Sequence, residues 1–327
     1  MNQNNLNQAV ILAGGLGTRL KPYTDKFPKP MIEINGKPFI NYLLEYLASE
    51  KIKKVIILSG YKSEIIENHI GDGSKFGVEV TFSRLDSNAQ TSERLFNCFN
   101  KLNDKFLLMY CDNFIPLNLN KVIKNFYQEG KKAQVTIYKN KHLMTKNNVL
   151  YKNNNILKYD KFRTDKDLNG VNVGFMILTK NLVKLLENKS QDFETIIFPK
   201  MIKDNEISCY LTDHKYYSIG SLDRLPTTEK YFKNNKFIFL DRDGVLNKKM
   251  PKAKYVTNWS EWEWRKGSLE ALKLLKEYGH KVIIISNQPG ISRGKMTEKS
   301  LNEIHSNMIT DVNKVGAEIE AIYVCKC

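Results

Sequence analysis

Residues Val10 to Leu20 read V-I-L-A-G-G-L-G-T-R-L, an apolar run that breaks into a glycine-rich turn carrying a hydroxyl and a guanidinium. Gly14, Gly15 and Gly17 remove Cβ atoms that would keep backbone N–H groups from closing around phosphate oxygens. Thr18 adds a hydroxyl, and Arg19 a planar, permanently charged fork. This is chemistry for gripping a nucleoside triphosphate; the plainer alternative is a tight strand-to-helix turn whose glycines serve geometry alone. Two commoner phosphate loops are excluded by spacing. No Gly-x-x-x-x-Gly-Lys-Ser/Thr is present, and Leu20 stands where a dinucleotide fingerprint needs its third glycine. Downstream lie an ammonium at Lys29 and a carboxylate at Asp112, the latter just past the apolar run Leu107 to Tyr110.

The same stretch resembles the signature of the sugar-nucleotide pyrophosphorylases, nucleotidyltransferases that join a sugar 1-phosphate to an NTP and release pyrophosphate. The resemblance continues through Phe27-Pro28-Lys29-Pro30-Met31, Gly36-Lys37-Pro38 and Tyr110-Cys111-Asp112-Asn113. It implies a Rossmann-like, GT-A type α/β/α sandwich with a mixed, mostly parallel sheet. It also implies that Arg19 holds the triphosphate, Lys29 the α-phosphate region, and Asp112 a Mg²⁺ that bridges phosphate oxygens. Tyr159-Asp160-Lys161 stands where the family has Glu-Lys-Pro, with the lysine on the sugar phosphate, and a plain surface lysine is the alternative. Val171-Asn172-Val173-Gly174-Phe175 resembles the stretch that contacts the sugar.

Two departures from the family pattern bear on metal and base. Tyr217-Ser218-Ile219-Gly220-Ser221 replaces Asp-Ile-Gly-Thr, so a weak, neutral hydroxyl stands where the second metal carboxylate belongs. Either Asp112, phosphates and water hold the metal alone, or an acid such as Asp223 substitutes. Ala89-Gln90-Thr91-Ser92-Glu93-Arg94-Leu95 replaces the base-contacting segment, with Gln90 the candidate contact.

A second constellation follows. Asp241-Arg242-Asp243-Gly244-Val245-Leu246-Asn247 comes directly after F-I-F-L and resembles the first motif of haloacid dehalogenase (HAD)-type phosphatases. That chemistry needs Asp241 to attack phosphorus and Asp243 to protonate the leaving oxygen, both near a Mg²⁺. Ser286-Asn287-Gln288-Pro289-Gly290-Ile291-Ser292-Arg293 supplies the next motif, with Ser286 and Asn287 toward the phosphoryl group and Arg293 toward a second phosphate. The likeness is to the heptose 1,7-bisphosphate phosphatase and histidinol-phosphatase subgroup. In that subgroup Cys325 and Cys327 would open a loop for structural Zn²⁺, a site these two thiols cannot complete. Its later lysine and acidic residue would follow Cys327, so the module is expected to be C-terminally incomplete and inactive. Trp259, Trp262 and Trp264 read either as a packing cluster or as a substrate flap.

The elements that must position these residues are legible in outline. At 327 residues with 42% apolar content the chain has room for about two domains, since single cores rarely exceed ~250 residues. Ala9 to Ala13, Val55 to Leu58 and Phe106 to Tyr110 read as buried strands, and Phe39, Ile40, Leu43, Leu44 and Leu47 mark one helical face. Polar Thr227 to Lys236 reads as a helix end and linker, giving a nucleotidyltransferase domain at 1–233 and a HAD-like domain at 234–327. There, Phe237 to Leu240, Val282 to Ile285 and Ile319 to Val324 read as strands around a helix marked by Leu269, Leu272 and Leu275. No apolar run approaches a membrane span, and five cysteines without a leader suit reduced thiols, so a cytoplasmic location is expected. The net charge of +16 invites nucleic acid, but the lysines are dispersed along the chain, which suits capture of small polyphosphates instead. The expected ligands are thus an NTP and a sugar 1-phosphate, with a sugar bisphosphate a further possibility. No nucleic acid and no membrane are expected, and oligomerisation is left open. The fused phosphatase motif points to heptose 1-phosphate, and analogy with heptose guanylyltransferases to GTP, in bacterial surface-polysaccharide precursor synthesis. The alternative is a non-catalytic sugar-nucleotide sensor or scaffold.

Overall fold

The computed structural model describes residues 6–141, 143–233, 236–251 and 254–326. Two compact units divide the chain, Met1–Lys233 and Asn234–Cys327. The first is built on β1 (Gln8–Ala13), β2 (Lys54–Ser59), β3 (Glu79–Arg84), β4 (Lys105–Tyr110), β5 (Ala133–Tyr138), β6 (Val149–Lys152), β7 (Asn155–Tyr159), β8 (Val171–Thr179) and β9 (Ile207–Thr212). Among the described residues these form one sheet in the order β3-β2-β1-β4-β8-β5-β9-β7-β6. β3, β2, β1 and β4 are mutually parallel, β8 enters antiparallel, and only β8 and β7 oppose the other seven strands. The sheet is therefore mixed and mostly parallel in direction.

β1 explains why both faces are covered. Its six residues are all buried, and alternation sends Ala9, Ile11 and Ala13 into one apolar layer and Val10 and Leu12 into the other. The first layer is closed by α1 (Phe39–Ser49), α2 (Ser63–Ile70) and α4 (Leu119–Glu129), the second by α3 (Thr91–Asn97) and α5 (Phe193–Lys203). The predicted face Phe39, Ile40, Leu43, Leu44 and Leu47 of α1 is wholly buried. α4 starts at Asn118, whose side chain accepts from Lys121 N, and stops at Gly130 with φ 67. A further helix, α6 (Leu225–Lys233), packs Leu225, Tyr231 and Phe232 on the first layer. Parallel β1, β2 and β4 bring Gly14, Gly60 and Asp112 to one edge, where open α/β sheets bind ligands.

The second unit holds three parallel strands, β10 (Lys236–Leu240), β11 (His280–Asn287) and β12 (Ala321–Cys325), in that spatial order. α7 (Ser268–Glu277) and α8 (Glu298–Lys314) supply its helices. β12 begins at Ala321, two residues after the sequence-based start; Ile319 instead packs against the core. The tryptophans form a packing cluster: Trp259 stacks on Trp262, Trp262 meets Trp264 edge-on, and Trp264 Nε1 donates to Asp311 on α8. Among the described residues one sheet face is left uncovered. Phe239, Ile285 and Tyr323, brought to the same side by the register of β10, β11 and β12, are 61%, 51% and 62% exposed. No helix among the described residues is long and apolar enough to cross a membrane. Cys98, Cys111, Cys209 and Cys325 are free thiols, and Cys327 lies outside the described residues, as does half of the thiol pair considered for zinc.

Candidate active site

After β1 the chain turns through Gly14 to Leu16 into a short 3₁₀ turn, Thr18–Leu20. Its three glycines answer three different demands. A methyl on Gly14 would lie 2.3 Å from the Arg94 Cζ; at Gly17 φ is 66, and a methyl would meet Thr24 at 2.9 Å; Gly15 has nothing within 4 Å. Arg94, on α3 and 3% exposed, donates to Ser59 O at 2.7 Å, Gly14 O at 3.2 Å and Asp86 O at 2.6 Å. Backbone carbonyls from the ends of β1, β2 and β3 thereby offset the burial of its charge. α3 itself starts with a capping box, Glu93 accepting from Gln90 N at 2.6 Å.

A cleft of about 540 Å³ is lined by Gly14, Gly15, Gly17, Thr18, Arg19, Lys29, Gln90 and Asp112. A second, of about 530 Å³, is lined among others by Lys161, Arg163, Asn172 and Arg224. The two share Arg19, Asp112 and Gly220. At this junction Lys29 Nζ pairs with Asp112 Oδ2, joining residues far apart in sequence. Arg19 is exposed and free of hydrogen bonds and ion pairs among the described residues. Burial, then Asp112, pushes the neighbouring Cys111 thiol up to about 12, which leaves it neutral and inert.

Ser218 sits opposite Asp112. It pairs with Asn113 in a two-residue antiparallel bridge, and its Oγ accepts from Gly220 N at 3.0 Å. A methyl on Gly220 would lie 3.1 Å from Ser218 Oγ and 3.3 Å from Asp112 Oδ2, so hydroxyl and carboxylate flank one point. Asp223 lines a third cavity, of about 230 Å³, and neither of the two clefts, although it bonds Ser221 and interacts with Arg224 and Arg19, which line the second. No group of three or more His, Cys, Asp or Glu suited to a metal occurs among the described residues.

In the second cleft Lys161 Nζ pairs with Asp192. Asp160 accepts from the backbone N–H groups of Phe162, Arg163, Thr164 and Asp165, which hold its carboxyl well below the usual range and fix the loop. Asn172 donates to Glu194 Oε1 at 2.7 Å and accepts from Gly174 N at 2.8 Å. Glu194, buried on α5, also accepts from Tyr159 Oη at 2.6 Å, and burial raises its pKa despite these donors. Gly174 lines neither cleft. With φ 78, and with Tyr110 Cδ2 only 2.1 Å from where its methyl would stand, it is a packing glycine.

In the second unit Asp241 follows β10, and its Oδ1 accepts from Arg242 N. Both oxygens of Asp243 are engaged: by the Arg242 guanidinium at 2.8 and 2.9 Å, by Asn247 Nδ2 at 3.0 Å and by Gln288 Nε2 at 2.5 Å. Gln288 also reaches buried Ser286 Oγ at 2.8 Å, which draws the two motifs together. Asn287 is exposed, and Arg293 donates to Tyr255 Oη at 2.8 Å. Burial and nearby Arg242 push His305 down to about 4, so it is neutral at pH 7.

Residues 8–234, more than half of the chain, match the family model described as Nucleotidyl transferase. The chain belongs to the nucleotidyl transferase family. Residues 236–326 match the model described as Polynucleotide kinase 3 phosphatase. This member of the family is 35% identical over 118 residues to D-glycero-alpha-D-manno-heptose 1-phosphate guanylyltransferase of Campylobacter jejuni, covering 36% of the chain and 53% of that protein. It is 36% identical over 117 residues to UTP--glucose-1-phosphate uridylyltransferase AglF of Haloferax volcanii, covering 36% and 48%. The chain thus spans about half the length of these curated relatives. The structure of HddC from Yersinia pseudotuberculosis superposes with a TM-score of 0.59 at 23% identity, over 69% of this chain and all of that one, and shares its fold.

Glu194, Arg163 and Arg224 escaped the motif reading, and Arg94 stood within the segment replacing the base-contacting motif with no role assigned to it. Glu194 carried a signal, a lone acid in the apolar run F-E-T-I-I-F; the arginines sit in unremarkable polar segments and are defined only by what the fold brings to them.

Proposed function

We propose that the first unit, residues 1–233, is a sugar 1-phosphate nucleotidyltransferase. A sugar 1-phosphate oxygen attacks the NTP α-phosphorus; the new O–P bond forms as the bond to the β-phosphate oxygen breaks, and pyrophosphate leaves. The observation that carries this is the junction, where two clefts of substrate size share Arg19 and Asp112. Both reactants are anions, so the residues act by positioning and by offsetting charge. The Gly14–Gly17 backbone and Thr18 cradle the triphosphate, Arg19 neutralises it, Lys29 meets the α-phosphate and Gln90 faces the base. On the other side Lys161 receives the sugar phosphate, and Asn172, fixed by Glu194, offers its remaining N–H to a sugar hydroxyl. Gly174 supports Asn172 through its own N–H.

Asp112 offers one carboxylate at the junction, where Lys29 pairs with it, and Ser218 one neutral hydroxyl nearby; these are hard oxygens of the kind that suit Mg²⁺, with phosphates and water needed for the rest of the shell. Bound there, Mg²⁺ would supply charge neutralisation between the phosphates.

Heptose 1-phosphate and GTP are the proposed substrates, in surface-polysaccharide precursor synthesis in the cytoplasm; similarity to the heptose guanylyltransferase supports both. The second unit, 234–327, is proposed as a HAD-like phosphatase module that is inactive as it stands, with its Asp243 carboxylate already engaged by Arg242, Asn247 and Gln288. Mg²⁺-dependent phosphate release from heptose 1,7-bisphosphate, abolished by Asp241→Asn, would overturn that.

The test is a matrix of NTPs against sugar 1-phosphates read by pyrophosphate release, with expected loss of about 10² to 10³-fold in Asp112→Ala. A second reading, a sugar-nucleotide sensor without turnover, is favoured by the hydroxyl at Ser218. NTP binding by calorimetry without pyrophosphate release from any pair in the matrix would select it.

A further inference from the structure

The second cleft holds more positive charge than a sugar 1-phosphate needs. Lys161 is paired with Asp192, and Arg19 lies at the junction, where the transferred phosphates meet. Arg163 and Arg224 remain, at the side of the cleft that borders the third cavity. Both guanidiniums converge on one hydroxyl: Arg163 Nη1 and Arg224 Nη2 each lie 3.3 Å from Thr145 Oγ1, so the two charged groups are no farther apart than twice that distance. Their other partners are neutral, Lys146 O at 2.6 Å for Arg163 and Tyr216 Oη at 3.0 Å for Arg224. Neither forms an ion pair among the described residues. Arg163 is moreover held at φ 59, a conformation unfavourable for a side-chain-bearing residue, by the loop that Asp160 anchors.

Two forked cations held side by side, neither in an ion pair and with the Asp223 carboxylate acting on Arg224 only from beyond contact distance, suit a dianion, and desolvating both against a neutral sugar would be costly. We infer that the second cleft takes a sugar 1-phosphate bearing a second phosphate ester remote from C1, gripped by Arg163 and Arg224. This rests on the proposed nucleotidyl transfer only for which end of the sugar faces the junction.

Calorimetry on the whole chain tests it with D-glycero-D-manno-heptose 1-phosphate against its 1,7-bisphosphate, mannose 1-phosphate against its 1,6-bisphosphate, and glucuronic acid 1-phosphate. At least one bisphosphate is expected to bind about tenfold or more tightly than its 1-phosphate. R163Q/R224Q is expected to erase that preference while leaving NTP affinity within about twofold, which also reports an intact fold, and R163K/R224K to retain part of it. Equal affinities within both pairs, absence of binding by all probes, a preference that survives R163Q/R224Q, or tighter binding of the uronate than of either bisphosphate would each overturn the inference. Pyrophosphate release is scored separately. Turnover of 1-phosphates with no bisphosphate preference sinks this inference alone, whereas an Arg-dependent preference with no turnover sinks the transfer reaction alone.

Discussion

Gly14 and Gly15 are adjacent in the sequence and lack side chains for opposite reasons. Gly14→Ala would drive a methyl into the Arg94 guanidinium and is expected to cost about 2 kcal/mol of stability, read as a lowered melting temperature. Gly15→Ala meets nothing in the protein and should leave melting within about 0.5 kcal/mol, yet its methyl stands in the first cleft and should raise the KM for NTP in the pyrophosphate assay. The motif showed that glycines were needed there, because a phosphate cradle and a tight turn both demand them. Which one answers to Arg94 was hidden, since residues so far apart in sequence meet only once β1, β2 and β3 are aligned. Lys29 and Asp112 were legible individually; their pairing is tertiary information.

At the scale of elements, α5 carries the buried carboxyl of Glu194 beneath the second cleft. Its pKa in the folded chain is raised, mainly by burial, so the folded state binds a proton more tightly than the unfolded state does. The stabilising contribution is therefore complete below the ordinary carboxyl value of 4.5 and is lost as pH climbs through the raised one. Melting temperatures of the wild type and Glu194→Gln, taken from pH 4.5 upward, should show the wild type losing ground steadily to the variant; a constant difference would exclude the linkage. The strands were readable because burial on both faces makes them unbroken apolar runs, as in V-I-L-A and F-L-L-M. The antiparallel entry of β8 was not, since its composition matches that of its parallel neighbours and direction depends on connection geometry. β12 was placed two residues early because Ile319 is as apolar as the strand it precedes.

Across the whole molecule, charge and exposed apolar surface make different demands. The surplus of 16 positive charges keeps copies apart at low salt, while the bare row Phe239, Ile285 and Tyr323 favours their contact once salt screens that repulsion. Light scattering should therefore report self-association that grows with ionic strength, and Phe239→Lys with Tyr323→Lys should suppress it without altering NTP binding; association unchanged by the double substitution would assign it to another surface. At the floor of the first cleft the molecule works the other way, through a single hidden cation. Arg94 acts as a keystone: one guanidinium ties together three loops, so the floor of the cleft proposed for the nucleotide is cut to shape before any guest arrives. Little ordering entropy remains to be lost on docking, and damage to this one inward-facing residue would loosen the floor of the berth everywhere at once.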